Sequence, residues 1–266
     1  MARIASSPNP FNGIIIDPAE LPEAVDGFRE DLQMDLKEWV DGGFQVVWLE
    51  VPISRAGIVP IAAEAGFTFH HSGLNYVMMI RRLVEDAFVP EYASHYTGAG
   101  GVVINEKNEL LVVCERHRGG SGRIYYKLPG GALHPGEHLA QAVVREVKEE
   151  TGVLTTFRSL ACFRHWHGYR YGKSDIYFVC RLDPLSAEIE IQESEIEEAL
   201  WMPLEEYYTS EYVGVFNRHI VQVAVEGPGL VTAEIDGYVD ADRREIFMPH
   251  HYVLSAEEVK EAKQEY

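Results

Sequence analysis

The sequence predicts an α/β protein made of a small unit followed by a larger one. Apolar runs typical of strands alternate with helical periodicity from Phe11 to about Leu83. A second series of strand-like runs surrounds one amphipathic helical stretch between Gly131 and Val153. A polar segment containing Pro90 separates the two series. A chain of 266 residues is long enough for one full domain and a smaller companion.

The first unit is predicted to begin with a short buried strand from Gly13 to Asp17, stopped by Pro18. The following helix ends at Gly42-Gly43, and its apolar stripe consists of Phe28, Leu32, Leu36 and Trp39. The remaining predicted elements are a strand at 44–51, a helix at 53–65 with Pro60 as a break point, and strands at 67–70 and 76–80.

His70 and His71 form the one tempting pair of metal ligands in this unit. Neighbouring residues of a regular strand point to opposite faces, so the two side chains are not expected to share a metal.

The second unit is predicted to contain a hairpin formed by 98–105 and 109–115, and further strands at 154–166 and 174–182. A helix is expected from Val213 to Glu226, before Gly227-Pro228. An extended stretch from Val231 to Met248 and a short final helix capped by Ser255 complete the chain.

The formal net charge of −19 argues against non-specific binding to nucleic acid or anionic membranes, which requires a surface rich in lysine and arginine. Three cysteines without paired spacing suit a reducing compartment. The sequence has no apolar run of membrane-spanning length, and its opening lacks the apolar core of a signal peptide. We therefore expect a cytoplasmic protein, and an organelle stays open.

Three carboxylates dominate the amphipathic helical stretch. Glu149 and Glu150 lie three and four residues after Glu146, so all three side chains project toward one side of a helix. Like charges repel in this arrangement, and a divalent cation reverses the sign because Mg²⁺ prefers carboxylate oxygen. The competing interpretation is a solvated acidic helix face. It is disfavoured because the apolar stripe, the glycines and Arg145 fall in register with the carboxylates.

Arg145 is predicted to hold Glu149, its i+4 neighbour, in one rotamer. Glu137 is half a turn out of phase with Glu146, so it must act from the preceding turn. It could serve as a charge partner of the helix N-terminus or as a group that orients the metal ligands without contacting the metal. Gly152 stands where a left-handed cap is expected to end the helix.

These residues resemble the Nudix box, and the chain is identified as a member of that superfamily. The pattern is Gly, five residues, Glu, seven residues, then Arg-Glu-aliphatic-any-Glu-Glu-any-Gly-aliphatic. Every defined position is met, by Gly131, Glu137, Arg145, Glu146, Val147, Glu149, Glu150, Gly152 and Val153. The resemblance implies hydrolysis of a diphosphate linked to another moiety, with Mg²⁺ or Mn²⁺, and an α/β/α sandwich with a mixed sheet.

The N-terminal unit resembles the pre-Nudix domain of a plant-type subgroup of ADP-ribose and NADH pyrophosphatases. The matching stretches are VVWLEVPI at 46–53, AAEAGFTFHHS at 62–72 and YVMMIRRL at 76–83. We therefore expect a pre-Nudix α/β domain at 1–88, a Nudix hydrolase domain at 89–212 and a C-terminal extension at 213–266.

Two or more Mg²⁺ ions are expected to be bound by Glu146, Glu149 and Glu150, with a backbone carbonyl near Gly130–Gly131. When bound, one ion would polarise the bridging phosphate oxygens and another would supply the deprotonated attacking water. A general base is still useful, and either Glu146 or Glu195, from the acidic stretch at 188–198, could supply it.

Two segments are candidates for substrate binding. The only basic cluster leads into the box and could present cations to phosphate; it contains Arg116, Arg118, Arg123 and Lys127. Alternatively it is a surface loop. Aromatic and basic residues around 164–171, among them Arg164, Trp166 and His167, could stack on a base or could simply cap a hairpin.

The subgroup resemblance suggests ADP-ribose, NADH or a related nucleotide as substrate. The NADH-type SQPWPFPxS stretch and the CoA-type signature are missing, and Gly168 stands where many ADP-ribose enzymes carry Pro. Isoprenyl or inositol diphosphates therefore remain alternatives. So does a regulatory binding protein with weak turnover, although no box carboxylate is missing. Capped RNA is disfavoured because no basic track is present. Nudix relatives are often dimers, which leaves a homodimer open.

Overall fold

A computed structural model of the chain describes residues 3–23, 25–117, 124–233, 235 and 243–250. The chain divides into two compact units, Met1–Ser94 and His95–Tyr266. The three-part division with boundaries at 88 and 212 stays a prediction. Helices in the described ranges are too short or too polar to cross a lipid bilayer.

The first unit is a five-stranded sheet with two helices. The strands follow the order β1-β2-β3-β5-β4, and only β2 and β3 are parallel. Their bounds are β1 (Ser6–Pro8), β2 (Gly13–Ile16), β3 (Val46–Pro52), β4 (Thr68–Ser72) and β5 (Tyr76–Arg82). The helices are α1 (Phe28–Asp41) and α2 (Ile58–Glu64), with single 3-10 turns at Pro18–Glu20 and Ile53–Arg55.

The predicted helix at 28–39 is confirmed, and its four stripe residues are buried against one face of this sheet. That face presents Ile14, Ile16, Val47, Leu49 and Met79. The predicted helix at 53–65 is wrong in its first turn, because Ile53–Arg55 forms a 3-10 turn and α2 begins only at Ile58. Pro60 lies in the first turn of α2, where its missing N–H removes no helical hydrogen bond.

The expectation that His70 and His71 point to opposite faces is also wrong. The pairing of β4 with β5 shifts between Phe69, opposite Met79, and His71, opposite Met78. This bulge inserts His70 as an extra residue and breaks the strand alternation. The two imidazoles therefore meet, with their Nδ1 atoms 2.6 Å apart.

The second unit contains a mixed four-stranded sheet of order β8-β6-β10-β9, in which β6 and β10 are parallel. A separate antiparallel pair joins β7 to β11, and a short ribbon joins β12 to β13. The bounds are β6 (His95–Val103), β7 (Glu109–Glu115), β8 (Gly130–Ala132), β9 (Thr155–Trp166), β10 (Ser174–Pro184), β11 (Ile196–Pro203), β12 (Val231–Thr232) and β13 (Phe247–Met248). The helices are α3 (Leu139–Thr151), α4 (Leu204–Thr209) and α5 (Val215–Glu226).

The predicted hairpin at 98–115 is wrong beyond its turn. The turn closes through the Asn105 N–H donating to the Glu109 carbonyl and one bridge between Ile104 and Leu110. The strands then diverge, because β6 pairs with β8 and β10 while β7 pairs with β11. The predicted strands at 154–166 and 174–182 are confirmed as the antiparallel pair β9 and β10.

Helices cover both faces of the four-stranded sheet. Consecutive residues of β6, Val102 and Val103, fall into two different apolar clusters, as strand alternation requires. The cluster of Val102 contains residues of α5, and the cluster of Val103 contains residues of α3. This arrangement confirms the predicted α/β/α sandwich.

The C-terminal helix expected at 213–226 is confirmed as α5, which ends before Gly227. In the predicted extended stretch, Val231–Thr232 pairs with Phe247–Met248 as β12 and β13. The final helix predicted from Ser255 lies outside the described residues.

Candidate active site

Helix α3 carries the three candidate metal ligands, and its apolar stripe fixes which way they face. Leu139, Ala142, Val143 and Val147 are buried against the sheet. The helix ends at Gly152, whose φ of +73° is the left-handed conformation predicted for its cap.

The N-terminus of α3 is capped from a distance. His138 precedes the helix and makes no side-chain cap. Instead, the Glu245 carboxylate accepts hydrogen bonds from the backbone N–H groups of Leu139, at 2.7 Å, and Ala140, at 3.1 Å. An anion at this position satisfies two otherwise unpaired donors and complements the helix dipole.

Arg145 gathers three carboxylates. Its Nε and Nη2 donate to the two oxygens of Glu137 at 2.7 and 2.8 Å. Its Nη1 donates to Glu146 and to Glu149, each at 2.9 Å. The hydrogen bonds from Arg145 hold the pKa of Glu137 at about 2, well below its usual value. Glu137 therefore anchors Arg145 from the turn, and Arg145 orients two of the candidate ligands.

Two glycines let the β8 backbone approach the carboxylates closely. The Glu150 carboxylate, on a side chain that is 5% exposed, accepts a 2.9 Å hydrogen bond from the Gly130 N–H. A Cβ on Gly131 would lie 2.6 Å from a Glu146 carboxylate oxygen, so Glu146 occupies the space beside that glycine. Burial raises the pKa of Glu150 to about 7, and the charge of Lys127 and the Gly130 hydrogen bond oppose that rise.

The donor set fits a hard divalent cation. Glu137, Glu146 and Glu149 share the Arg145 guanidinium, so three negative charges against one positive charge leave a net charge of −2. Carboxylate oxygens are the ligands that Mg²⁺ prefers. Within the described ranges, no three acidic, histidine or cysteine side chains converge closely enough to hold an ion as they stand. Ligation by Glu146, Glu149 and Glu150 would therefore compete with the hydrogen bonds from Arg145 and Gly130.

A cleft of about 660 Å³ opens beside this helix. Gly130 and Gly131 of strand β8 line the cleft. The backbone of the same two residues contacts the carboxylates of Glu150 and Glu146. Cationic, acidic and aromatic side chains also line the cleft; they include Lys127, Arg164, Arg170, Glu115, Asp175, Tyr96, Trp166, Tyr169, Tyr171, Tyr177 and Phe216.

Arg164 is the most constrained cation of the cleft. Its guanidinium lies 5.2 Å from the ring centre of Trp166, 5.5 Å from that of Tyr177 and 5.4 Å from that of Phe216. Asp175, on the neighbouring strand β10, accepts a hydrogen bond from its Nη2. Its Nε is buried and has no hydrogen-bond partner in the described chain. Rings and one carboxylate therefore hold this charge at the cleft wall.

The residues predicted to bind substrate separate into three groups. Lys127, Arg164 and Trp166 line the cleft, and Lys127 forms an ion pair with Glu115 there. Arg116 and His167 are not among the described residues that line it, and His167 Nδ1 lies 2.9 Å from the Ser174 hydroxyl. Arg118 and Arg123 lie outside the described residues.

The acidic stretch at 188–198 contributes no described residue to the lining of the cleft. Glu195 is exposed, its carbonyl accepts from the Arg116 N–H, and it is not among the described residues that line the cleft. Glu198 instead accepts a 2.6 Å hydrogen bond from the Tyr126 hydroxyl.

Sequence reasoning missed several cleft residues, among them Glu115, Asp175, Tyr177 and Phe216. Asp175 and Tyr177 are two residues apart on β10, so the period-two pattern of a strand could have placed them on one face. Arg164 of β9 pairs with Tyr177. Phe216 comes from the first turn of α5, and no local pattern indicated that it reaches Arg164.

Comparisons with known proteins find relatives of both units. A NUDIX domain model matches residues 94–223, and a Nudix hydrolase domain model matches residues 4–83. The chain is 44% identical to Nudix hydrolase 2 of Arabidopsis thaliana, over 70% of this chain and 67% of that protein. The chain therefore belongs to the Nudix hydrolase family, as its motif predicts.

Nudix hydrolase 8 of the same plant is 41% identical over 74% of this chain, and the match spans about half of that longer relative, 54% of its length. A solved NUDIX hydrolase from Nitrosomonas europaea shares 24% identity over 50% of this chain and 89% of its own, with a TM-score of 0.42.

Proposed function

We propose that the chain hydrolyses the diphosphate linkage of a nucleoside diphosphate derivative of the ADP-ribose or NADH type, with Mg²⁺ or Mn²⁺ as cofactor. One observation supports this proposal above the others. Strand β8 forms part of the cleft wall through Gly130 and Gly131, and the same backbone contacts the carboxylates of Glu150 and Glu146. A diphosphate bound in the cleft would therefore lie next to the metal-binding helix.

Glu146, Glu149 and Glu150 would hold the metal, and Gly130 or Gly131 could add a carbonyl oxygen. When bound, the metal supplies charge neutralisation at phosphate and lowers the pKa of water. Arg145 keeps Glu146 and Glu149 in fixed rotamers, because Glu137 immobilises its guanidinium. A metal would share or displace the hydrogen bonds that Glu146 and Glu149 accept, while the ion pair with Glu137 would keep Arg145 in place.

Three cations of the cleft, Lys127, Arg164 and Arg170, would bind the phosphates of the substrate. Glu115 and Asp175 pair with Lys127 and Arg164, so three cations and two carboxylates leave the cleft lining a net charge of +1, and the metal would supply the remaining neutralisation in a chain with a net charge of −19. Arg164 offers a planar fork suited to phosphate oxygens, and its ring contacts prevent it from swinging into solvent.

Of the two candidates for general base, the geometry favours Glu146. Its carboxylate lies against Gly131, which lines the cleft, whereas Glu195 is exposed and is not itself among the described lining residues, although its carbonyl accepts from the N–H of Arg116, next to Glu115 of the cleft. Glu146 would accept a proton from the attacking water, and a base must lie within hydrogen-bond reach of that water.

A substrate panel tests the proposal. We expect release of a nucleoside monophosphate from ADP-ribose or NADH with Mg²⁺ or Mn²⁺, and loss of turnover in Glu149→Gln and Glu150→Gln with the fold retained. Turnover that survives both substitutions would refute the site. Isoprenyl diphosphates, inositol diphosphates and capped RNA belong in the same panel. Turnover confined to one of those would replace the proposed substrate class, and no turnover on any of them would favour a binding role.

A further inference from the structure

Three histidines meet at the end of the four-stranded sheet where β6 and β10 begin and β9 ends. His95 is the first residue of β6, His165 is the last but one of β9, and His167 follows that strand directly. The Nε2 atoms of His95 and His165 are 2.8 Å apart, and the ring centres of His165 and His167 are 4.3 Å apart. All three residues are exposed, so an ion from solvent can reach them.

Strand pairing brings these histidines together away from the cleft. Both β6 and β9 pair with β10, which lies between them, and the side chains of His95 and His165 reach each other across it. Alternation along β9 places His165 on the opposite face of the sheet from Arg164 and Trp166, which line the cleft. The three imidazoles therefore form a cluster that is separate from the cleft.

The cluster is also separate from the carboxylates of α3. Glu146 lies against Gly131, which pairs with Ala99 of β6. His95 precedes Ala99 by four residues, a distance of about 13 Å along a strand. An ion held by the imidazoles would therefore not share ligands with Mg²⁺ at the carboxylates.

The nitrogen pair suits a transition-metal ion. Neutral imidazole is a preferred ligand of Zn²⁺, Ni²⁺ and Cu²⁺, whereas Mg²⁺ prefers oxygen. Two imidazole nitrogens on one tetrahedral Zn²⁺ are about 3.3 Å apart, because each Zn–N distance is about 2.0–2.1 Å. The His95 and His165 nitrogens need to separate by only about 0.5 Å to reach that spacing. Desolvation by its neighbours and the charges of His167 and His95 lower the pKa of His165, which favours the neutral form that binds metal.

His167 is the third candidate ligand. Its Nδ1 lies 2.9 Å from the Ser174 hydroxyl, and in the part of the chain that the structure describes no three such ligands converge on one point as they stand. Rotation of the exposed His167 ring would turn a nitrogen toward the other two, and exposed side chains exchange rotamers readily. Water would complete the tetrahedron.

We propose that His95 and His165, completed by His167 and water, bind one transition-metal ion of the Zn²⁺ class. The competing interpretation is a hydrogen bond between two imidazoles that binds nothing. The ion would connect β6 to β9 and so hold Tyr96 and Trp166, the sequence neighbours that line the cleft, at a fixed separation. This inference does not depend on the proposed function, which concerns the carboxylates and the cleft.

Calorimetry tests Zn²⁺ binding to the full-length chain, prepared without a histidine tag and kept in excess Mg²⁺ so that the carboxylates are occupied. We expect one Zn²⁺ per chain at this site. His95→Gln and His165→Gln should each weaken its binding about ten-fold or more, because each removes one of the two facing nitrogens. His167→Gln should weaken binding by a smaller factor. The substituted residues are exposed, so the variants should keep the melting temperature of the wild type without Zn²⁺.

Two histidines elsewhere in the chain provide controls. His219→Gln removes an exposed histidine of α5. His70→Gln breaks the imidazole pair of the first unit, in which the His70 nitrogens already contact His71 and the Pro90 carbonyl. Both variants should bind Zn²⁺ as the wild type does, and so should Glu149→Gln.

Electron paramagnetic resonance of bound Cu²⁺ identifies the ligands directly. The wild type should show coupling to at least two imidazole nitrogens, and His165→Gln should lose one of them. The absence of Zn²⁺ binding by the wild type, equal affinities of the wild type and His165→Gln, or an equal loss in Glu149→Gln would each overturn the proposal. An inactive chain that binds Zn²⁺ through His165 would refute the proposed hydrolysis and leave this site in place.

Discussion

Arg145 and Glu137 form a two-point ion pair in which Nε donates to one carboxylate oxygen at 2.7 Å and Nη2 donates to the other at 2.8 Å. Both side chains are mostly buried, with exposed fractions of 21% and 14%. Such parallel charge-assisted bonds fix orientation as well as distance. The pair therefore links the turn before α3 to the glutamates on that helix.

Glu137→Gln should destabilise the protein. The glutamine amide has a single acceptor oxygen, and its NH₂ group would face a donor of the Arg145 guanidinium that now donates to the second carboxylate oxygen. A hydrogen bond to a charged group contributes about 1.5–3 kcal/mol, and we expect a loss in this range in the free energy of unfolding by urea. Glu106→Gln, on the exposed turn between β6 and β7, should change stability by less than about 0.5 kcal/mol. Equal effects of the two substitutions would contradict the assigned role of Glu137.

The same pair predicts a specific acid sensitivity. The pKa of Glu137 falls from 4.5 to about 2 on folding, so the unfolded chain binds its proton first as the pH drops. Its stabilisation is therefore complete above about pH 5 and is lost as the pH falls from about 4.5 to about 2. The stability difference between wild type and Glu137→Gln should shrink over this interval. A difference that stays constant from about pH 6 to about pH 2.5 would show that the pair does not titrate as described.

Gly130→Ala should disrupt the contact between β8 and Glu150 of helix α3. A Cβ there would lie 2.2 Å from the Ala99 carbonyl oxygen and 2.6 Å from the Gly100 Cα, and the φ of +153° adds strain. Overpacking against backbone costs about 1–3 kcal/mol or more. Gly136→Ala is the matched control, since its φ is +80° but no atom lies within 4 Å of the added Cβ. Urea unfolding should show the larger loss for Gly130→Ala, and the reverse order would contradict the packing described.

Glu245→Ala should loosen the first turn of α3, because two backbone donors lose their acceptor. Losing a helix cap costs about 0.5–2 kcal/mol. Amide hydrogen exchange gives the specific readout: the Leu139 and Ala140 amides should exchange faster, while amides in β10 change little. Glu245→Gln retains an acceptor oxygen and should lie between wild type and Ala. Unchanged protection at both amides would rule out the cap.

Arg164→Lys should weaken substrate binding, although it keeps the charge. An ammonium group cannot stack with Trp166, Tyr177 and Phe216 or form a planar fork. We expect KM for the substrate that the panel identifies to rise about ten-fold. If turnover is absent, the Kd for ADP should rise by about the same factor. Arg158→Lys is the control, because Arg158 lies on the same strand in an exposed pair with Asp183. Equal effects at both positions would argue against the ring contacts.

Features set by neighbouring residues in the chain could be predicted from the sequence. The helix α3, its left-handed end at Gly152 and the pairing of Arg145 with Glu149 depend on spacings of one turn or less. The half-turn phase difference between Glu137 and Glu146 also indicated that Glu137 acts from the preceding turn.

Features that depend on distant residues were missed or wrong. The two strands around Asn108 share a turn but join different sheets, because their partners lie elsewhere in the chain. The bulge at His70 reflects pairing with β5, which alternation within β4 cannot reveal. Glu245 caps a helix that begins 106 residues before it, and no local signal marks an acceptor so far away.

Strand β8 lies between the two parts of the candidate site, which are the carboxylates of α3 and the cleft. The carboxylates approach this strand from α3, while Phe216, Asn217 and Ile220 reach the cleft from α5 on the opposite face of the sheet. Exchanging α5 and the 167–173 tip for those of a relative would therefore rebuild that part of the cleft wall, including the Phe216 contact with Arg164, and would leave the glutamates of α3 in place. A chimaera between family members is thus a route to a differently shaped cleft beside the same helix.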